Sequence, residues 1–560
     1  MKDEKIYFVR AVEIHGNVWD EKAVVRALRF AKRNGMNALV LHANDIVDEV
    51  VWPARYYGAT GVGAFFYENY REIYDALYRR SARRRYMPIH RRDFLQWVIR
   101  AARREGLEVY LENKELWFPD ELEEWFPGLR KNGRLCCAEP VWWDFIRTKY
   151  RELAADFPDL AGVITSPGSR ESRLSITGNR CECEKCRSLT KADWYVRLIM
   201  SIYEPLREMC KTLVVRDFTF DRADLASLAF AMEQLPDDVV VSLKNTPHDF
   251  YPTFPHNPGI GRTGRRRTWI EFDAMGQYFG WGFGIAALVQ DMRERLRYGL
   301  DHGAVGVLVR TDWEGLPGHS CFDTPNLVNL YAAAIFANDP EAGEDEVYRR
   351  WLAEENLVAR EEDLETCAAW IGRLLGGTWD VVRRAIYAND CVFNDSSCFP
   401  VGLDHAFWLA EEKNSLKDWM PEKANALDVS DENLRLLLAE KEEAAARFRE
   451  LERNLLEGNR GLTDAAYEDL KFRFQIFGLY VEGFRLVFET AVLAKAYMKG
   501  NLARDLVERL HETLDALLPY ARKLEKLSDE QNLTFAVQAI LNPERIYVFH
   551  KDVSKKIARA

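Results

Sequence analysis

Eight short runs of apolar and β-branched residues recur through the first 330 positions of this chain. They are YFVRAVEI (7–14), NALVLHA (37–43), LEVYLEN (107–113), LAGVITS (160–166), TLVVRDF (212–218), DVVVSLKN (238–245), TWIEFDA (268–274) and AVGVLVRT (304–311). Between them lie amphipathic stretches such as EKAVVRALRFAKRNG, RRDFLQWVIRAARREG, DFIRTKYRELAADF and ALVQDMRERLRYGLDHG. Each carries an apolar stripe at i, i+3, i+4, i+7, and several end at glycine, a common helix stop. Parallel strands need crossovers of this length. Eight such units predict a (β/α)8 barrel, the TIM-barrel form of the α/β class. Two crossovers are irregular: the second is long (44–92), and the sixth (247–267) reads as loop.

After Leu330 the strand runs stop. Stretches such as ENLRLLLAEKEEAAARFRELERNLLEG and LARDLVERLHETLDALLPYARKLEKL keep helical apolar spacing and dense charge. The expected organisation is a catalytic barrel over 1–335 and an all-α C-terminal domain over 336–560. Charge runs such as EKEE and REED are read as solvated helix faces.

Composition narrows the function classes. The 560 residues carry 77 basic and 88 acidic side chains, a net charge of −11, which disfavours a nucleic-acid partner. The opening MKDEKIYFVRAVEIHG lacks a signal-peptide core, and no run approaches a membrane span, so no membrane partner is expected. Ten cysteines in so long a chain do not make a disulfide framework, and the reading is cytoplasmic. A homodimer is left open.

In a TIM barrel the chemistry sits at the C-terminal ends of the strands. Here every end is polar: Glu13 and His15; His42, Asn44 and Asp45; Glu112, Asn113 and Lys114; Glu171 between Arg170 and Arg173. The ring continues through Arg216 and Asp217; Lys244, Asn245, His248 and Asp249; Glu271, Asp273 and Gln277; Arg310, Asp312 and Glu314. Any one of these alone reads as a solvated loop residue, but the ring together reads as a site. Carboxylates abound, histidines are few, and there is no phosphate loop and no HExxH. That selection suits glycosidic bond cleavage, in which one carboxyl protonates the leaving oxygen and another activates water or attacks the sugar.

Three segments in order, VVRDFTFDRADLA, LPDDVVVSLKNTPHDF and WIEFDAMGQYFG, resemble the core of the α-glucuronidases of glycoside hydrolase family 67. The resemblance spans about 1–335 and is strongest over 210–285. It implies removal of a terminal uronic acid from an oligosaccharide, with no cofactor required. It places Arg216 and Lys244 on the uronate carboxylate, Asp249 as base and Glu171 near the general acid. Asn245, His248, Glu271, Gln277 and Asp312 complete the expected substrate contacts. Three departures stand out: Gln277 replaces the family's second carboxylate, Pro167 replaces a lysine before the acid, and the chain starts at its first strand without the family's amino-terminal sandwich domain.

Two alternatives remain open. One is an N-acetylhexosaminidase-like barrel using Asp312 and Glu314; the other is a non-catalytic carbohydrate-binding barrel, suggested by Gln277. Trp52, Trp117, Trp281 and Trp313 are candidate sugar platforms or packing residues. Separately, CECEKC brings Cys181, Cys183 and Cys186 together as three candidate ligands of a structural zinc, with Cys136 or Cys137 as a fourth. Reduced, unliganded thiols in a tight turn are the other reading.

Overall fold

A computed structural model describes residues 6–51, 82–114, 116–118, 122–123, 126–178, 180–218, 222–313, 315–411, 415–500 and 503–560. Trp52 and Glu314 lie outside them. Eight strands form a closed parallel barrel: β1 (Val9–Ile14), β2 (Ala38–His42), β3 (Glu108–Lys114), β4 (Gly162–Ser166), β5 (Thr212–Arg216), β6 (Val240–Lys244), β7 (Thr268–Asp273) and β8 (Gly306–Arg310). They follow one another around the barrel in chain order, and β8 pairs with β1 through Val9 opposite Gly306. Seven of the eight fall inside the runs seen in the sequence, β3 continues one residue past its run to Lys114, and the sixth crossover is loop, as expected.

The strands close because their inward side chains pack. Ala11, Val40, Tyr110, Ile164, Val214, Val240, Trp269 and Leu308 contribute one residue from each strand to a single buried apolar cluster. Tyr110 and Trp269 meet edge to face with ring centroids 5.3 Å apart. Trp269 needs space, and Gly306 on the neighbouring strand supplies it: a Cβ there would fall 2.3 Å from the indole Cδ1. The helices around the barrel carry local start signals. Asp20 accepts from the Ala23 backbone N–H to cap Glu21–Arg33, and Thr190 accepts from Asp193 to cap Lys191–Glu208.

The chain divides into two compact units. The first comprises residues 1–245, 257–272 and 298–310; the second comprises 246–256, 273–297 and 311–560. The second is dominated by the helices Asp431–Leu456, Asp464–Met498 and Arg504–Glu530. Ser430 and Thr463 cap the first two of these. At Gly483 a Cβ would lie 2.3 Å from the Tyr520 hydroxyl and 2.6 Å from Phe399, so glycine lets those rings reach the middle helix. A two-residue antiparallel ladder, Tyr387–Ala388 with Cys391–Val392, interrupts the helical region, which the sequence reading had as helix throughout.

One charge-run reading needs correcting. EKEE is not all solvated: Lys441 is fully buried, while its neighbours Glu442 and Glu443 are exposed. It shares the inward face of its helix with Leu434, Leu437, Leu438, Ala444 and Phe448. Its ammonium donates to the carbonyls of Arg384 and Tyr387 at the end of the helix Thr378–Ile386, and lies 4.4 Å from the centre of the Phe488 ring. No helix of the described residues is long and apolar enough to cross a membrane.

Candidate active site

Side chains two apart on a strand share a face. Two positions beyond each apolar barrel residue comes a polar one: Glu13, His42, Glu112, Ser166, Arg216, Ser242, Glu271 and Arg310. None is more than 4% exposed. The barrel interior therefore changes from wholly apolar to wholly polar within one side-chain layer, at the ends of the strands where catalysis belongs in this fold.

Such a layer is tolerable only if its charges are paired and hydrogen-bonded. Arg216 is the hub. Its Nε donates to Glu271 at 2.6 Å and its Nη1 to Glu112 at 2.9 Å. Glu271 also accepts from the Ser242 hydroxyl at 2.6 Å. The His42 ring lies between two acids, with Nδ1 at 2.7 Å from Glu13 and Nε2 at 3.3 Å from Glu112. His15 stacks on it with centroids 3.7 Å apart and the planes 6° from parallel. Burial, reinforced by the surrounding cations, holds both imidazoles well below the usual histidine range. Burial and the nearby Glu112 carboxylate push Glu13 well up, and burial raises Glu112. Both directions favour a neutral His42 imidazole, hydrogen-bonded through Nδ1 to Glu13 and lying beside Glu112.

Above this layer Lys114 and Lys244 are still buried, and Glu171 is the accessible group. Lys114 and Lys244 lie two positions beyond Glu112 and Ser242 on β3 and β6. Lys114 pairs with Glu171 at 3.0 Å, and Glu171 keeps 35% of its side chain exposed. Phe218, half-buried just past β5, gathers cations: the Lys244 ammonium is 3.7 Å from its ring centre, Lys114 5.2 Å and the Arg216 guanidinium 5.3 Å. The loop carrying Glu171 is anchored on both sides. Arg170, at φ 59°, bonds the buried Asp224 at 2.8 Å, and Arg173 donates to the Phe118 carbonyl at 2.9 Å. Beside β5, Asp217 accepts from the Lys244 backbone N–H at 3.4 Å and from Asn257 at 3.2 Å. Burial, with Glu271 nearby, raises its carboxyl to about 6. Asn245 is buried, and its N–H donates to the Glu271 carbonyl at 3.0 Å.

The remaining expected site residues belong to the second unit. Asp249 adopts φ 45°, a left-handed conformation that aspartate tolerates better than most residues. The Thr246 hydroxyl fixes that turn by donating to the Asp249 carbonyl at 2.7 Å. His248 Nε2 is 3.5 Å from the Asp249 carboxylate. Further along the loop, Arg295 donates to the carbonyls of Pro252 and Phe254, both at 2.9 Å, which ties the prolines down. Gln277 is buried, donates to the Ser396 hydroxyl at 3.3 Å, and its backbone N–H bonds Asp273 at 3.0 Å. Asp312 is buried and accepts from Thr311 at 3.0 Å. Trp281 is buried, packs on Trp313 and donates its indole N–H to the Ser396 carbonyl, so it is a packing residue.

Within the first unit, then, the structure brings together Glu171, Arg216, Lys244 and Glu271 through Lys114 and Phe218. The sequence reading placed Glu13, His42 and Glu112 at strand ends without giving them a role. Their signal was available: each lies two residues past an inward apolar position.

No family model matches the chain, and no curated protein matches it. Among solved structures, a GH138 enzyme targeting pectin rhamnogalacturonan II superposes with a TM-score of 0.66 and 11% identity, over 100% of this chain and 84% of that one. An O-GlcNAc hydrolase from Thermobaculum terrenum follows at a TM-score of 0.42 and 12% identity, over 99% of this chain and 95% of that one. The first shares the fold; the second superposition is too loose to bear on the chemistry.

Proposed function

We propose that this protein is a glycoside hydrolase that removes a terminal uronic acid, or a similar acidic sugar, from an oligosaccharide, in the manner of the α-glucuronidases it resembles in sequence. The observation that carries this reading is the group around Phe218. A half-buried aromatic ring offers an apolar surface to a sugar face. The ammonium groups of Lys244 and Lys114 beside it suit a sugar carboxylate, and Glu171 stands at the same place. Two of the Arg216 N–H groups are engaged by Glu112 and Glu271. Its contribution is therefore mainly to hold the buried carboxylates and to add positive potential, and Lys244 with Lys114 takes the uronate.

In this reading Glu171 is the general acid and Asp249 the base, with Asn245, His248 and Gln277 as substrate contacts. Glu271 orients Arg216. The left-handed backbone at Arg170 and Asp249, each fixed by hydrogen bonds, is the kind of local strain that clusters at catalytic positions. The fold shared with an enzyme targeting a pectic polysaccharide supports a carbohydrate substrate and places rhamnogalacturonan II fragments among those to test.

The test is a panel of uronic-acid, neutral and N-acetylated oligosaccharides, with the released anomer followed by NMR. Release of an acidic sugar with inversion is expected, since the water-activating role given to Asp249 belongs to the inverting mechanism. Turnover confined to N-acetylhexosaminides would replace this reading with one based on Asp312 and Glu314. Affinity with no turnover on any member would leave a binding barrel.

A further inference from the structure

The four thiols of Cys136, Cys181, Cys183 and Cys186 converge, with their sulfurs all within 4.8 Å of one another. Cys136 lies 3.7 Å from Cys183, and both Cys136–Cys186 and Cys181–Cys186 are 3.5 Å apart. A disulfide needs sulfurs about 2.05 Å apart. A tetrahedral zinc with Zn–S bonds of about 2.3 Å sets its sulfurs about 3.8 Å apart. The observed spacing matches the second geometry and excludes the first.

The backbone is built to deliver these thiols. A short antiparallel ladder, Arg130–Lys131 with Arg134–Leu135, ends directly before Cys136. The Cys136 N–H returns to the Leu129 carbonyl at 2.8 Å, and the Cys181 N–H bonds the Leu135 carbonyl at 2.7 Å. Those two bonds place the first cysteine against the C-x-C-x2-C segment from the next crossover. Arg180 donates to the Cys186 carbonyl at 3.0 Å and fixes the far end of that segment. Adjacent residues cannot aim their side chains at one centre here: Cys137 lies outside the sulfur cluster, and its carbonyl accepts from Trp194. Three of the four thiols are buried and Cys183 is only partly exposed. Four sulfur ligands leave no open position for substrate or water, which makes the site structural.

We infer that Cys136, Cys181, Cys183 and Cys186 bind one zinc ion, which joins the crossover after β3 to the crossover after β4. The second of these crossovers also carries Glu171, so the metal fixes the base of that loop. The inference stands on the thiol geometry and is independent of which sugar the barrel accepts.

Elemental analysis of the desalted full-length protein is expected to give about one zinc per chain. Titration of the native protein with a mercurial thiol reagent should release that zinc in step with the modification of four thiols. Cobalt(II) substitution should give the intense visible d–d bands of a tetrahedral ion together with thiolate-to-cobalt charge transfer. Cys183→Ser should lose the metal, whereas Cys137→Ser should keep it. Metal-free protein with an unchanged melting temperature, a disulfide within the cluster, iron in place of zinc, or full zinc content in Cys183→Ser would each overturn the inference. If Cys183→Ser fails to fold, the mercurial titration of the unmodified protein decides alone.

Discussion

Two layers of the barrel interior, two residues apart on the same strands, are almost equally buried and opposite in chemistry. The apolar layer, Ala11 to Leu308, gains free energy simply by leaving water, on the order of 1.5–3 kcal/mol for each large side chain. The polar layer, Glu13 to Arg310, gains nothing by burial and must recover its desolvation through pairing. A barrel could close with apolar residues at both levels. The polar layer is thus a specialisation carried by the fold, and its free energy is invested in holding charges in fixed places before any substrate arrives.

The largest effects should come from removing one member of either layer, for different reasons. Trp269→Ala should cost about 3–5 kcal/mol through a cavity, read by denaturant unfolding. Arg216→Met should cost a similar amount by leaving Glu112 and Glu271 buried without their counter-ion, about 3–5 kcal/mol. The two separate on rescue. Adding Glu271→Gln should recover stability in the Arg216→Met background and do nothing for Trp269→Ala. Equal behaviour of the two backgrounds would abolish the distinction between the layers.

The next effect concerns turnover. Glu171→Gln and Asp249→Asn should each lower kcat at least about a hundredfold. Asp249→Asn should leave unfolding nearly unchanged, whereas Glu171→Gln also removes the ion-pair partner of the buried Lys114 and should cost some stability. A near-normal kcat in either would remove that residue from the mechanism. Lys244→Met should weaken acidic sugars by about 1.5–3 kcal/mol, the range for a charged hydrogen bond, and leave uncharged analogues unaffected. Equal loss on both classes would make Lys244 a packing residue.

The smallest effect is a slope with pH. Burial raises the Asp217 carboxyl to about 6, above its unfolded value of about 3.8. The folded state therefore holds the proton more tightly than the unfolded state does. Any stability tied to that proton is complete below about pH 4 and is lost as pH rises through about 6. Relative to the parent, Asp217→Asn should gain stability between about pH 4 and pH 7, on top of a constant penalty for the lost acceptor. A parallel pair of stability profiles would show that Asp217 carries no such linkage.

The strands were legible because β-branched runs with polar ends leave few alternatives once eight of them alternate with helices. The polar layer was only half legible. Its members stand at strand ends in the sequence, but which of the many acids meet one another depends on the stagger of neighbouring strands: His42 faces Glu112, and Arg216 faces Ser242. Nothing in one strand's sequence states that stagger. The thiol cluster shows the same limit on a smaller scale. Spacing selected Cys181, Cys183 and Cys186, whereas the choice of Cys136 over Cys137 required the backbone bond to Leu129. Lys441 was misread because a lysine among three glutamates looks solvated until the helix phase is counted from Leu434 and Leu437.

That lysine has a consequence for how the helical region assembles. The helix Thr378–Ile386 has nine residues, too few to persist alone in water. Two of the carbonyls at its end are satisfied by a group 54 and 57 positions away in the chain. The short helix can therefore be completed only when Asp431–Leu456 has docked, so its last turn should form late and open early. In native-state hydrogen exchange, the amides of these two distant segments should lose protection together, as one cooperative unit with a single opening free energy.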